Sequence, residues 1–488
     1  MKVSFPVFIA SLVAAALPSA HAEPPYQGVF TMSNNELNEI GVNRIKDDGG
    51  LEWVGAFETG GIGLGVPTGG VGRWTSANII SYHVWNNQQW LLAANMGGTT
   101  YQSSVSIFKV AADLTLERTD VVDAIRSDTS VAWATSVAAY DDRACVFGGG
   151  GGLLLECFRI STEGKLSSDF YKDFDVNIIP AFTIFGQAGP STILFSPDGK
   201  KLALLHKGSL SSTFYDGTGQ EFFPDILAQA GLYIFPVVES DVRYGEPTKM
   251  EINAYLRPSD LIWSPDSELL WTSGVPETLL GPANIMAVQV ESDFSVSEIG
   301  FFEFGPSNAC WIEYLNGHLY TSNWILSNDI TTFPLAADRM TVDVASLKST
   351  PLPGPPDDDG NPTRSGPLDI SIAGATLSGK RYMYGQLALS AQIAAVEIAE
   401  DGSVTELGRY LYGESVDDVA WPQNAGIATT LLSQVELDEL FKEPEPLTPS
   451  PTPISTPSSP PSGVSGTSKT ISAFTFAFAA VVVPFIFI

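Results

Sequence analysis

Four histidines occur in the 488 residues, and His83, His206 and His318 lie beyond the N-terminal leader. Imidazole is the side chain whose charge changes near neutral pH, so each is a candidate acid or base. His206 ends the apolar run Leu202 to Leu205 and is followed by Lys207. A neutral imidazole there can serve as a general base, or simply bond backbone at a strand end. His83 follows the apolar run Ile79 to Tyr82, and His318 follows Asn316-Gly317, so both read as turn surface. Arg257 stands just ahead of Pro258-Ser259-Asp260. Its planar fork can grip a substrate carboxylate or pair with one of the chain's many acids. Asp357-Asp358-Asp359-Gly360-Asn361 lacks the mid-loop glycine and closing glutamate of an EF-hand, so it reads as a solvated acidic loop. Gly61, Gly63 and Gly65 are followed by no helical pattern and by no acid at the dinucleotide-site distance. No Gly-x-Ser-x-Gly elbow, His-Glu-x-x-His motif or Walker loop occurs, and neither metal nor cofactor is expected.

The elements that must position these residues are short strands. Ile193 to Phe195 and Leu202 to Leu205 flank Ser196-Pro197-Asp198-Gly199. Proline presets φ in that turn, aspartate bonds nearby backbone, and glycine takes the positive φ. The hairpin recurs at Pro258 to Thr272 around Ser264-Pro265-Asp266-Ser267, and in weaker copies at Ala309 to Asn323 and Pro367 to Tyr384. One supersecondary unit repeated along a chain means a solenoid, a propeller or an array. Seven units can be traced: Gly28 to Phe57, Asn78 to Arg118, Val131 to Phe170, a unit built on the hairpin at residue 193, Pro258 to Phe304, Asn308 to Leu347, and Pro367 to Tyr412. Val416 to Leu432 is then left to close a ring against the first unit. The expected fold is all-β, a seven-bladed propeller of four-stranded antiparallel blades. No amphipathic helix long enough for a parallel crossover is present, and no Trp-Asp signature marks the units.

Acids outnumber bases 55 to 25, for a net charge of -30. Such a surface repels nucleic acid and anionic lipid. Residues 1–22 read as a signal peptide: Lys2, an apolar stretch from Val7 to Leu17, then Ala20-His21-Ala22. The propeller is placed at 26–435. Residues 443–461, rich in Pro, Ser and Thr, read as an extended stalk. Residues 462–488 read as a glycosylphosphatidylinositol (GPI) attachment signal: small residues, a polar spacer through Lys469 and an uncharged apolar tail. Ser462, Gly463 and Ser465 are the candidate lipid-attachment residues, and an extracellular, membrane-anchored monomer is expected. Cys145 and Cys157 flank Gly148 to Gly152. A hairpin centred on Gly151 sets them opposite each other, which predicts a disulfide in an oxidising compartment and leaves Cys310 as a buried thiol.

These segments resemble the seven-bladed lactonase family, which includes a bacterial 6-phosphogluconolactonase and the fungal carboxy-cis,cis-muconate cyclases. The resemblance lies in Val29 to Asn34 with Asp47 to Leu51, Trp90 to Asn95 with Val105 to Phe108, Ser196 to Gly199, Ala309 to Ile312 with Tyr320 to Asn323, and Pro367 to Ile370. It spans about Tyr26 to Leu432 and implies metal-independent opening or closing of a lactone ring at one end of the central channel. By that resemblance His206, facing the channel, is the general base, and Arg257 binds a carboxylate. Lys207, Gln187, Asn308, Asp369 and Asn95 sit at matching positions near one rim, where they line a polar pocket or bond loop backbone. Two functions follow: a lactone hydrolase or muconolactone-forming cyclase, or a non-catalytic cell-surface or cell-wall protein that binds through its rim. With so few basic residues near these positions, a phosphorylated sugar lactone is a poor substrate.

Overall fold

A computed structural model describes the chain between residues 25 and 437, with 34, 64–77, 98–101, 126–132, 150–152, 175–188, 211–213, 216–220, 223–225, 238–243, 253–255, 277–281, 307, 325–326, 354–365, 388–391, 412–425 and 434–435 outside the described residues. Residues 1–442 and 443–488 form separate units. The expected signal peptide, the acidic loop at 357–361, the expected stalk, the candidate lipid-attachment residues and the apolar tail all lie outside the described residues. No described helix is long and apolar enough to cross a membrane.

Seven four-stranded antiparallel sheets follow one another along the chain. Blade 2 runs from Ile80–Trp85 to Leu116–Asp123, and blade 3 from Trp133–Tyr140 to Leu166–Phe174. Blade 4 is Pro190–Phe195, Lys201–His206, Gly231–Pro236 and Thr248–Glu251, with two small two-stranded hairpins inserted before its third strand. Blade 5 runs from Leu256–Trp263 to Val296–Pro306, blade 6 from Asn308–Leu315 to Lys348–Pro351, and blade 7 from Pro367–Ile372 to Val404–Leu411. Blade 1 is completed from both ends of the domain: Ile427–Thr429 pairs with Gly28–Met32, which pairs with Glu39–Ile45 and then Leu51–Glu58. Gln27 Nε2 donates to Leu432 O at 2.7 Å, and Gly28 N donates to Thr430 Oγ1 at 2.9 Å. These bonds clasp the ring and leave no open sheet edge at the join.

The sequence dictates the layering. Inner strands such as Arg143–Gly149 and Lys201–His206 are buried throughout, because each blade packs its two faces on its neighbours. Outer strands such as Leu166–Phe174 alternate toward solvent. The Ser-Pro-Asp-Gly turn folds as its chemistry requires. Ser196 Oγ accepts from Lys201 N at 3.0 Å and donates to Asp198 Oδ1 at 2.6 Å, while Gly199 takes φ 68°. Ser264 and Asp266 repeat the arrangement, with Ser267 at φ 63° in the glycine's place.

Cys145 and Cys157 are paired in register on adjacent strands of blade 3 and joined by a disulfide, with Cα atoms 4.0 Å apart. Cys310 is buried in blade 6.

Candidate functional site in the central channel

The innermost strands share a feature beyond their apolar runs. In blades 3 to 7 the pairing with the second strand skips one residue near the strand start, between Ala134 and Ser136, Pro190 and Thr192, Pro258 and Asp260, Ala309 and Trp311, and Pro367 and Asp369. The irregularity turns the next side chain toward the neighbouring blade, where it can bond backbone. Ser136 Oγ accepts from Ile193 N at 3.1 Å, linking blades 3 and 4. Asp260 Oδ2 accepts from Ile312 N at 3.2 Å, linking blades 5 and 6. Asp369 Oδ2 accepts from Ile427 N at 3.0 Å, across the join between blade 7 and blade 1. Thr192 Oγ1 completes the series by donating to Asp260 Oδ1 at 2.9 Å.

Two residues further along each of these strands, the side chain meets the central cavity. Ala138, Leu194, Ile262, Glu313 and Ser371 hold that position, so Glu313 is a lone acid in a mainly apolar ring. The cavity is about 320 Å³ and is lined by these residues together with Asp260, Asp369 and His83. That volume suits a compact small molecule.

Electrostatics single out the three acids. Burial raises the Glu313 carboxyl to about 8, with the nearby Asp260 charge adding to the effect. Burial likewise raises Asp260 to about 7, against the hydrogen bonds it accepts and the positive charge of Lys207. Asp369 is pushed well above the ordinary carboxylate range by burial, then by Asp260 and Glu313. Like charges in one low-dielectric space cannot all ionise, so protons are retained in the channel near neutral pH. Among the described residues no three His, Cys, Asp or Glu side chains converge as metal ligands would.

The residues expected from sequence are dispersed. His206 is 1% exposed inside blade 4, stacked on Tyr233 with ring centroids 5.6 Å apart, and is not among the residues lining the cavity. Its Nδ1 accepts from Gly208 N at 3.2 Å, its Nε2 has no partner among the described residues, and burial lowers its pKa to about 4. Gly231 stands opposite it in the sheet, and a Cβ there would lie 2.6 Å from Nε2. Asn95 holds the matching place in blade 2. It donates to Ser104 Oγ at 3.1 Å and Ser106 Oγ at 2.8 Å, and accepts from Asn38 at 2.8 Å and Thr59 at 2.7 Å. Lys207 is half-buried, and its charge is felt at Asp260. Arg257 and Asn308 lie in the innermost strands of blades 5 and 6, with their side chains outside the described residues, as is Gln187 altogether. Of the expected set, Asp369 alone lines the cavity among the described residues.

Two histidines depart from the turn-surface reading. His83 lies within the innermost strand of blade 2, its Nε2 2.9 Å from Asp141 O, and burial lowers its pKa. His318 starts the second strand of blade 6 and is half-buried, because Gly402 of the neighbouring blade packs on its ring. In both cases a neighbouring blade covers a hairpin that looks exposed when read alone. Sequence reasoning passed over Asp260 and Glu313. The available signal was Pro258-Ser259-Asp260-Leu261 beside Pro367-Leu368-Asp369-Ile370, an acid at one register position of two otherwise apolar strands.

No protein-family model and no curated protein matches this chain. Solved structures do. The periplasmic gluconolactonase of Pseudomonas aeruginosa is 12% identical, with a TM-score of 0.57 over 83% of this chain and 99% of that one. A protein provisionally assigned as a 6-phosphogluconolactonase from Bacteroides fragilis is 14% identical, with a TM-score of 0.55 over 83% and 98%. A hypothetical selenium-binding protein from Sulfolobus tokodaii is 10% identical, with a TM-score of 0.53 over 84% and 94%. At such identities the likeness is one of fold, and the chain carries the seven-bladed scaffold seen in 6-phosphogluconolactonase-like propellers.

Proposed function

We propose that this protein is a secreted, GPI-anchored lactonase-like propeller, related in type to the fungal cyclases, whose channel opens or closes the ring of a small uncharged lactone. The observation carrying the proposal is Glu313, which faces a 320 Å³ cavity that it shares with Asp260 and Asp369, with its pKa raised to about 8. A carboxylate with so high a pKa is a strong base for its type, and a general base is most effective where its pKa lies near the working pH. Ionised Glu313 takes a proton from water while the oxygen of that water bonds to the lactone carbonyl carbon. The ring C–O bond then breaks, and the proton passes to the departing ring oxygen. Asp369, kept protonated, donates from Oδ1 to the carbonyl oxygen while Oδ2 holds Ile427 N. Ring closure is the same path in reverse. No Lys or Arg is among the described residues lining the cavity, which favours an uncharged ring over a phosphorylated one.

The test is turnover of a panel of γ- and δ-lactones by wild type, Glu313→Gln and His206→Ala. Ring opening by wild type that falls at least a hundredfold in Glu313→Gln supports the proposal, and loss in His206→Ala alone refutes the role given to Glu313. A second reading, a binding protein without catalysis, is favoured by the use of Asp260 and Asp369 as links between blades. Saturable lactone binding with no turnover selects it. Release of the intact protein from cells by phosphatidylinositol-specific phospholipase C tests the anchor, and retention refutes it.

A further inference from the structure

A second cavity of about 560 Å³ lies between the hairpin turns of blades 6 and 7. Its walls include His318, Tyr320, Lys380, Arg381, Glu397 and Glu400, within the volume range of ligand sites. Two of the charges cancel, because Lys380 Nζ lies 3.0 Å from Glu397 Oε2. Arg381 is different. Its guanidinium makes no hydrogen bond or ion pair among the described residues, and the charge it influences is Glu436, whose carboxylate is already bonded to Ser433. An uncommitted guanidinium is notable in a chain with 55 acids and 25 bases. Tyr320 adds an independent signal. It is 1% exposed and lines the cleft, yet its hydroxyl has no hydrogen-bond partner among the described residues. Its ring centroid lies 6.4 Å from that of His318.

We propose that this cleft binds a carboxylate-bearing saccharide, a uronic acid unit of a polysaccharide. The Arg381 fork matches a carboxylate, which it can bond bidentately. The Tyr320 hydroxyl is an unused donor for a ring or hydroxyl oxygen. Glu400 supplies an acceptor for sugar hydroxyls, which a bare inorganic anion cannot use. Leu315, Ile398 and Ala399 offer apolar surface for the ring face. The proposal does not depend on lactone chemistry in the channel.

The test is calorimetric titration of the full chain, made in a eukaryotic secretory host, with digalacturonic acid. Lactose serves as the neutral control and inorganic phosphate as competitor. Expected is saturable binding of digalacturonic acid, weakened at least about tenfold by Arg381→Met and severalfold by Tyr320→Phe. Binding should be unchanged in Lys249→Met on the outer strand of blade 4. No binding by wild type, wild-type affinity in both cleft variants, equal binding of lactose, or displacement by equimolar phosphate overturns it. Tyr320→Phe removes one hydroxyl from an otherwise intact core and carries the test if Arg381→Met fails to fold.

Discussion

Replacing Glu313 by glutamine should make the propeller more resistant to alkali. The folded protein holds the Glu313 proton up to about pH 8, whereas the ordinary value is 4.5. Between those limits the folded state binds a proton that the unfolded chain has released. Stability from this group is therefore greatest below the unfolded value, falls as pH rises through the window, and is level above it. The full shift corresponds to about 5 kcal/mol. Glu313 is half-buried, and partial ionisation is shared with Asp260 and Asp369, so a working expectation is about 2 kcal/mol. Glutamine is nearly isosteric and cannot ionise. Glu313→Gln should match wild type near pH 4.5 and exceed it by about 2 kcal/mol at pH 9. Urea unfolding monitored by tryptophan fluorescence at half-unit pH steps makes the measurement. Parallel profiles for the two proteins would refute the electrostatic reading of the channel.

Three further outcomes are expected. His206 is held neutral with a pKa of about 4 against an ordinary 6.5, so the folded state binds fewer protons than the unfolded between those values. This group should contribute a loss of about 3 kcal/mol as pH falls from 6.5 to 4, and His206→Asn should remove that contribution in the same urea titration. Gly199→Ala forces a side chain onto φ 68° and sets its Cβ 2.0 Å from the Tyr140 ring. It should lower stability by at least about 2 kcal/mol, seen as a drop in Tm. Replacing both Cys145 and Cys157 by serine opens a bridge of sequence separation 12 and should cost about 2–3 kcal/mol in denaturant unfolding.

The fold could be read from the chain because its determinants are local. Ser196 to Gly199 and Ser264 to Ser267 carry their own turn instructions, and Cys145 and Cys157 lie on one hairpin, so register follows from near neighbours. The site is different, because seven strands distant in sequence build it. Asp260 looked like one polar residue in an apolar run, and its meaning depends on Thr192 from blade 4 and Ile312 from blade 6. Glu313 gains its character when the ring closes and removes bulk water from both sides of an innermost strand. His206 illustrates the converse. A polar residue beside Lys207 at a strand end suggests the channel, yet the absence of a side chain at Gly231 makes room for the imidazole within the blade. The blades 6 and 7 cleft was equally hidden, since Tyr320 and Arg381 belong to different sheets.

The claim that Glu313 moves the proton in the channel is tested most directly by the pH dependence of kcat/KM for ring opening of an uncharged lactone. Wild type should show a rising limb with an apparent pKa near 8, and Glu313→Gln should lack that limb and retain at most about one-hundredth of the rate. An unchanged limb and near wild-type turnover in the variant would contradict it.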